Sequence, residues 1–216
     1  GCGKTTQCGN ADRYMQAGGE KVLKVKEPNK EVLGGKLIYS LLFGEDPSIS
    51  FSSMTSTQRQ THYFWNRMHL FREVVIPALS KGVNVLADRC YASISLDVHQ
   101  KGDLERLLAI QDYFFRVEEV SLIQPDLIII YDLKPETAIQ RLNEKDERRR
   151  DFFEQPGKLL QTKMAYLEFA EKFSDFCRVI DGSPDSKTVF AGTKELLRQL
   201  FPLRQWKQSS ISKEEK

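Results

Sequence analysis

The first six residues of the chain have the types and spacing that bind nucleotide phosphates. They read GCGKTT, the second half of the pattern G-x-x-x-x-G-K-[S/T], and an amphipathic stretch follows directly. In such a loop, backbone N–H groups at a helix N-terminus surround phosphate oxygens, a lysine reaches the β- and γ-phosphates, and a hydroxyl binds Mg²⁺. The alternative is a glycine-rich turn that only begins a helix. We predict an ATP-binding loop with Lys4 as a catalytic residue and Thr5 as a magnesium ligand, formed by Gly1, Cys2, Gly3, Lys4, Thr5 and Thr6.

An acid and a base stand together farther along the chain. Asp88 and Arg89 follow the apolar segment VLA at residues 85–87, which reads as a strand. In parallel α/β sheets, ligands bind outside the carboxyl ends of the strands. Asp88 could therefore hold Mg²⁺, and Arg89 could bind a phosphate through two hydrogen bonds. Alone, the pair reads equally well as a surface cap of the next helix, but beside a phosphate loop it favours catalytic roles.

A run of charged residues, KDERRR, occupies residues 145–150 between two predicted helices. Phosphoryl transfer needs cations around the charge that develops on the transferred group. Arg148, Arg149 and Arg150 could act catalytically if the connector over residues 145–157 closes over ATP as a lid. Most charge runs are only solvated loops, and that alternative stays open.

Tyr63 and Arg67 lie four residues apart and therefore on one face of a predicted helix. The tyrosine ring offers a stacking surface for a base, and the guanidinium can hydrogen-bond the edge of that base. Such pairs also occur on helices that have no function.

The elements that must position these residues alternate between helix and strand. Apolar spacing predicts helices over residues 4–17, 33–42, 57–80, 103–117, 135–143, 158–173 and 187–201, and strands over 22–26, 84–88, 127–131 and 178–180. Pro77 should bend the end of the third helix. This alternation predicts an α/β fold with a doubly wound parallel sheet and helices on both faces. We expect the first strand of that sheet to precede Gly1, since the phosphate loop begins within its motif.

The composition limits the possible classes of protein. The 216 residues suit one domain over 1–202, with a polar tail at 203–216. A net charge of only +2 argues against a nucleic-acid polymer as partner. The longest aliphatic run, at 127–130, is far below the roughly 20 residues that span a membrane, and no charged leader opens the chain. We therefore predict a cytoplasmic protein with no membrane partner, whose scattered cysteines are free thiols.

Taken in order, these features resemble the thymidylate kinase family over nearly the whole chain. The matches are GKTT at 3–6, KEP at 26–28, Arg67 ten residues before PAL at 77–79, DR at 88–89, QPDL at 124–127 and YLE at 166–168. The resemblance implies a P-loop kinase fold with central parallel strands and a lid. It also implies transfer of the γ-phosphoryl group of ATP to dTMP, with Mg²⁺ as cofactor.

The resemblance implies roles for residues of the acceptor site. Tyr63 takes the place of a phenylalanine that stacks on the base, Arg67 would contact the pyrimidine edge, Arg89 the acceptor phosphate and Glu27 the sugar region, while Ser93 matches a family serine. Family members without a P-loop arginine carry basic residues in the lid. Gly1 stands at that P-loop position here, in agreement with the lid arginines predicted above.

Some positions depart from the family pattern. Ile38 replaces an arginine, and Ile94 and Val98 replace polar residues that follow the Asp–Arg pair, so the base pocket should offer few hydrogen-bond partners. The resemblance, together with Arg89 and Lys26, implies a deoxynucleoside monophosphate as acceptor, with dTMP expected first. Another deoxynucleotide, a deoxynucleoside, or binding without catalysis are the alternatives. The helix over 57–80 offers a packing face for a homodimer.

Overall fold

The computed structural model describes residues 2–45, 48, 50–144 and 151–201. In chain order the helices and strands are α1 (Lys4–Ala17), β1 (Val22–Lys26), α2 (Gly35–Phe43), α3 (Ser56–Leu70), α4 (Ile76–Ser80), β2 (Asn84–Asp88), α5 (Asp103–Val117), β3 (Ile128–Asp132), α6 (Pro135–Asn143), α7 (Pro156–Lys172), β4 (Cys177–Asp181) and α8 (Ser186–Leu200). The predictions made for Gly1, for the lid residues Arg148, Arg149 and Arg150, and for the tail fall outside the described residues.

The strands pair in parallel, as the alternation of helices and strands predicts. β1 pairs with β2 in a register that sets Lys26 opposite Asp88. β3 pairs with β4, and Asp132 lies opposite Asp181. Within each pair the carboxyl ends are therefore level, so the segments that follow β1 and β2 meet at one edge.

A cavity of about 440 Å³ is lined by the consecutive residues 84–88 of β2 and 128–132 of β3. Alternate residues of a strand face opposite sides, so a lining of consecutive residues means that the strand edges border the cavity. Apolar side chains of α1 and α8 close it, among them Ala11, Met15 and Leu197. In the described part of the chain the strands thus form two separate pairs rather than one sheet.

The helix predicted over residues 57–80 is continuous but irregular. α3 starts at a capping box in which the Thr55 side chain accepts from the Gln58 N–H and the Gln58 side chain accepts from the Thr55 N–H. A π-helical turn, Phe71–Val75, separates α3 from α4. Pro77 cannot donate the hydrogen bond that an uninterrupted α-helix requires of it, and the wider turn lies immediately before α4.

Short irregular helices and several helix starts differ from the prediction, the starts by one or two residues. Two 3-10 segments, Phe51–Ser53 and Tyr91–Asp97, were not predicted, because turns of this length have no apolar period to detect. α7 begins at Pro156, inside the connector predicted over residues 145–157. Proline suits the first turn of a helix, where its missing N–H has no partner to lose.

The largest apolar cluster lies where α3, α5, α7 and β3 meet. Phe64, Leu104 and Phe169 are fully buried there. This core fixes α3 and α7 against the sheet, and both helices carry residues of the candidate site. Among the described residues, no helix is long and apolar enough to cross a membrane.

Candidate active site

The predicted phosphate-binding loop leads directly into α1. Gly3 is the N-cap and has a left-handed backbone with φ of 80°, which glycine adopts without the steric cost of a Cβ. Lys4, the first helical residue, donates from Nζ to Sγ of Cys2 over 3.3 Å. The first N–H groups of a helix have no carbonyl partner within it. This end of α1 therefore offers both a lysine and backbone donors to an anion.

Thr5 and Asp88 join the phosphate loop to the end of β2. The Thr5 hydroxyl donates to Oδ2 of Asp88 over 2.6 Å, although the two residues are 83 positions apart. Asp88 is buried, with 6% of its surface exposed. A hydroxyl and a carboxylate this close are the oxygen ligands that Mg²⁺ prefers, so these residues fit the predicted metal site.

Arg89 follows Asp88 and has an unusual backbone, with φ of 73°. Its side chain lines the cavity and donates no hydrogen bond to any other described residue. Burial alone would lower the pKa of this guanidinium, but Tyr166 and Asp151 nearby raise the pKa overall. A charged guanidinium with free donors can hold an anion such as phosphate.

Arg67 is fully buried in an ion pair with Glu27. Its Nε and Nη2 atoms donate to Oε2 of Glu27 over 2.9 and 2.7 Å. Nη2 also donates to the Cys90 carbonyl over 3.0 Å, and Nη1 donates to Oε1 of Gln111. Burial by itself lowers the pKa of Arg67, but Glu27 raises it overall, so the ion pair is stable in its charged form.

The other residues expected at the acceptor differ in their access to the cavity. Ser93 and Glu27 line it, whereas Tyr63 is buried and packs against the ring of Phe51 with centroids 6.3 Å apart. Burial raises the pKa of the Tyr63 phenol well above its usual value, so the ring is neutral. The structure thus brings Glu27, Arg89 and Ser93 to the cavity of the phosphate loop, whereas Tyr63 and Arg67 are buried and do not line it.

The two departures from the family pattern after the Asp–Arg pair are apolar for a structural reason. Ile94 and Val98 belong to the core cluster around Phe64, and Ile94 has no exposed surface. Neither residue lines the cavity that holds Arg89.

Sequence reasoning missed a second charged pair at the same cavity. Nζ of Lys163, from α7, lies 2.8 and 2.9 Å from the two carboxylate oxygens of Asp132, at the end of β3. Both residues line the cavity. Asp132 ends its strand as Asp88 ends β2, and that shared position in the sequence would have identified it.

Cys2 is expected to be the most reactive thiol of the protein. Burial acts to raise the pKa of Cys2, but the nearby Lys4 ammonium lowers it overall. Burial is the main reason why the pKa of each of the other three cysteines is raised to about 11: Cys8, Cys90 and Cys177. Because only the thiolate reacts, iodoacetamide at about pH 8 should label Cys2 first. MgATP should slow that labelling, as followed by peptide mass spectrometry, and faster labelling of another cysteine would contradict this arrangement.

Comparison with known proteins places the chain in a family. The family model described as thymidylate kinase matches residues 1–191. The thymidylate kinase of Thermosipho melanesiensis is 29% identical over 199 residues, which cover 91% of this chain and 92% of that protein. The thymidylate kinase of Syntrophus aciditrophicus is 29% identical over 98% of this chain and 94% of its own length. That of Ruegeria pomeroyi is 30% identical, with coverage of 91% and 90%. This chain therefore belongs to the thymidylate kinase family.

Proposed function

We propose that this chain is a kinase that transfers the γ-phosphoryl group of ATP to dTMP, giving dTDP. The contact of Thr5 with Asp88, which lines one cavity together with Lys4 and Arg89, carries this proposal. Lys4, Thr5 and Asp88 form a place for a nucleotide with its metal, and Arg89 forms a place for an anionic acceptor. The names of the family and of the relatives supply the identity of the acceptor.

On the donor side, the phosphates of ATP lie against the N-terminus of α1. Lys4 exchanges its contact with Cys2 for the β- and γ-phosphates, which the backbone N–H groups of the loop also bind. Thr5 and Asp88 would hold Mg²⁺, which neutralises phosphate charge when bound. The lid residues Arg148, Arg149 and Arg150 are proposed to add positive charge around the transferred group.

On the acceptor side, Arg89 holds the phosphate of dTMP and Ser93 lies beside it. Tyr63 and the remaining N–H of Arg67 are proposed to bind the base, in the roles that the family resemblance implies. Neither side chain lines the cavity, so this part of the proposal rests on the family resemblance. The 5′-phosphate then supplies the oxygen that attacks the γ-phosphorus of ATP, and the bond from that phosphorus to the β–γ bridging oxygen breaks, so that ADP leaves as dTDP forms.

Two larger features are also proposed. We place the two strand pairs in one doubly wound sheet, with a further strand between the edges of β2 and β3 and the nucleotides at the carboxyl ends of these strands. Backbone groups along both strand edges need partners, which supports this arrangement.

We also propose a homodimer that forms through α2, α3 and α5. Large apolar side chains are exposed on these helices, and Trp65 of α3 packs edge-on against Phe114 of α5 with centroids 5.8 Å apart. The exposed fractions are 45% for Leu37, 36% for Trp65, 65% for Tyr113 and 60% for Val117. An apolar face shared by neighbouring helices supports burial against a second copy.

Steady-state kinetics with a panel of acceptors tests the proposed function. We expect kcat/KM to be highest for dTMP among dTMP, dUMP, dCMP, dGMP and dAMP at fixed ATP. A base held by one stacking ring and few polar groups rejects related pyrimidines weakly, so dUMP should follow closely. Thymidine is assayed beside the panel as an acceptor without the phosphate, and ATP without acceptor gives the background rate. A preference for dGMP or dAMP would contradict the thymidylate assignment, turnover of thymidine would indicate a nucleoside kinase, and no turnover would indicate a binding module.

A further inference from the structure

We propose that the buried Glu27–Arg67 ion pair is a positioning unit for Arg89, because its two residues bind the carbonyl groups of the residues immediately before and after Arg89. The inference rests on the proposed function, in which Arg89 binds the acceptor phosphate. It assigns Glu27 a role different from the sugar contact that the family resemblance implies.

Arg89 needs such support. Its φ of 73° lies in the left-handed region, which is unfavourable for a residue with a Cβ and persists only where the surroundings fix it. No hydrogen bond from its own guanidinium to another described residue adds to that fixation. The direction in which the side chain leaves the main chain is therefore set by the backbone around Arg89.

Both neighbouring carbonyl groups are held by the same pair. The carbonyl of Asp88 accepts from the Glu27 N–H over 3.1 Å. The carbonyl of Cys90 accepts from Nη2 of Arg67 over 3.0 Å. Because the Glu27 carboxylate binds Arg67 at 2.7 Å, the residues before and after Arg89 are linked to one another through the ion pair.

The pair is itself fixed in place. Nη1 of Arg67 donates to Gln111, and the adjacent residue of α3, Asn66, holds the segment after Glu27. The Asn66 amide accepts from the Asn29 N–H over 2.8 Å and donates to the Asn29 carbonyl over 2.9 Å. Buried ion pairs contribute little net stability compared with apolar packing, so the value of this pair lies in the geometry that it enforces.

Binding measurements with and without the acceptor phosphate test the inference. Isothermal titration should compare dTMP with thymidine on the full chain, for Glu27→Gln, Glu27→Asp and Arg89→Lys. We expect Glu27→Gln to raise the Kd of dTMP about tenfold, the size of one charged hydrogen bond, and to change the Kd of thymidine less than about twofold. In the Arg89→Lys background, Glu27→Gln should have little further effect, because both act through one phosphate contact.

Control variants distinguish the positioning role of Glu27 from a general loss of folding stability. Glu105→Gln removes an exposed pair with Lys172 at 3.3 Å and should leave both Kd values unchanged. Glu27→Asp keeps the charge, so it should fold and show a smaller selective loss, with thermal unfolding measured for every variant.

Three outcomes have distinct meanings. Equal loss of dTMP and thymidine would assign Glu27 to the nucleoside part of the acceptor, directly or through Arg67, and would overturn the inference. An unchanged Kd of dTMP in both Glu27 variants would overturn it as well. If Arg89→Lys itself leaves dTMP binding intact, the proposed acceptor site fails instead.

Discussion

Replacing Lys4 with alanine should lower kcat by about 100-fold or more, the loss expected when a donor to the transferred group is removed. Lys4 begins α1, and its ammonium contacts only Cys2 among the described residues, so it is available to the β- and γ-phosphates of ATP. A coupled assay of ADP release at saturating ATP and dTMP measures the effect. Lys172→Ala removes an exposed lysine of α7 and should leave kcat unchanged.

Cys2 labelling and thermal unfolding of the Lys4→Ala variant show whether a loss of activity comes from the missing ammonium or from misfolding. Without the ammonium at 3.3 Å, the pKa of Cys2 should rise, and labelling by iodoacetamide should slow. Thermal unfolding should stay close to that of the parent chain. A near-normal kcat in this variant would show that the loop does not bind the transferred phosphate.

The Gly35→Ala substitution should have the largest effect on stability. An added Cβ would lie 1.8 Å from the carbonyl oxygen of Asn29 and 2.8 Å from the Cα of Lys30. These are backbone atoms, and Asn66 fixes Asn29 through two hydrogen bonds, so neither can move aside cheaply. We expect a loss of about 3 kcal/mol or more, at the upper end for overpacking, and a Tm lower by about 6–12 °C.

Gly9→Ala is the matched control for this prediction. Gly9 lies inside α1, and an added Cβ there meets nothing within 4 Å. Alanine is favoured over glycine in a helix by up to about 1 kcal/mol, so this variant should unfold at a slightly higher temperature. Differential scanning calorimetry of both variants measures the contrast, and an unchanged Tm for Gly35→Ala would contradict the close packing at the start of α2.

Much of the fold follows from local patterns. α1, α5, α6, β1 and β2 begin and end at the residues predicted from the sequence, because their apolar periods end at glycine, proline or charged residues. Which strands pair could not be read in the same way. Pairing depends on contacts between distant segments, and the lining of the cavity between β2 and β3 has no signature in either strand alone.

In the candidate site, too, the features with local sequence patterns could be predicted, and those that depend on distant segments could not. The phosphate loop and the Asp88–Arg89 pair have recognisable local patterns, and the structure places them together, with Thr5 on Asp88. The partners of Arg67 have no such pattern. Gln111, Glu27 and Cys90 lie 44, 40 and 23 residues away in the sequence, so the helix spacing that picked out Arg67 could not reveal its buried network.

These long separations make activity a measure of complete folding. The contact of Thr5 with Asp88 closes a loop of 83 residues, and the contact of Arg67 with Glu27 closes one of 40. Contacts between residues so far apart in the sequence form late in folding, because closing the intervening loop costs conformational entropy. A partly assembled chain with only α1 or only β1 in place therefore has neither half of the site, and regain of kinase activity during refolding should lag behind regain of helix.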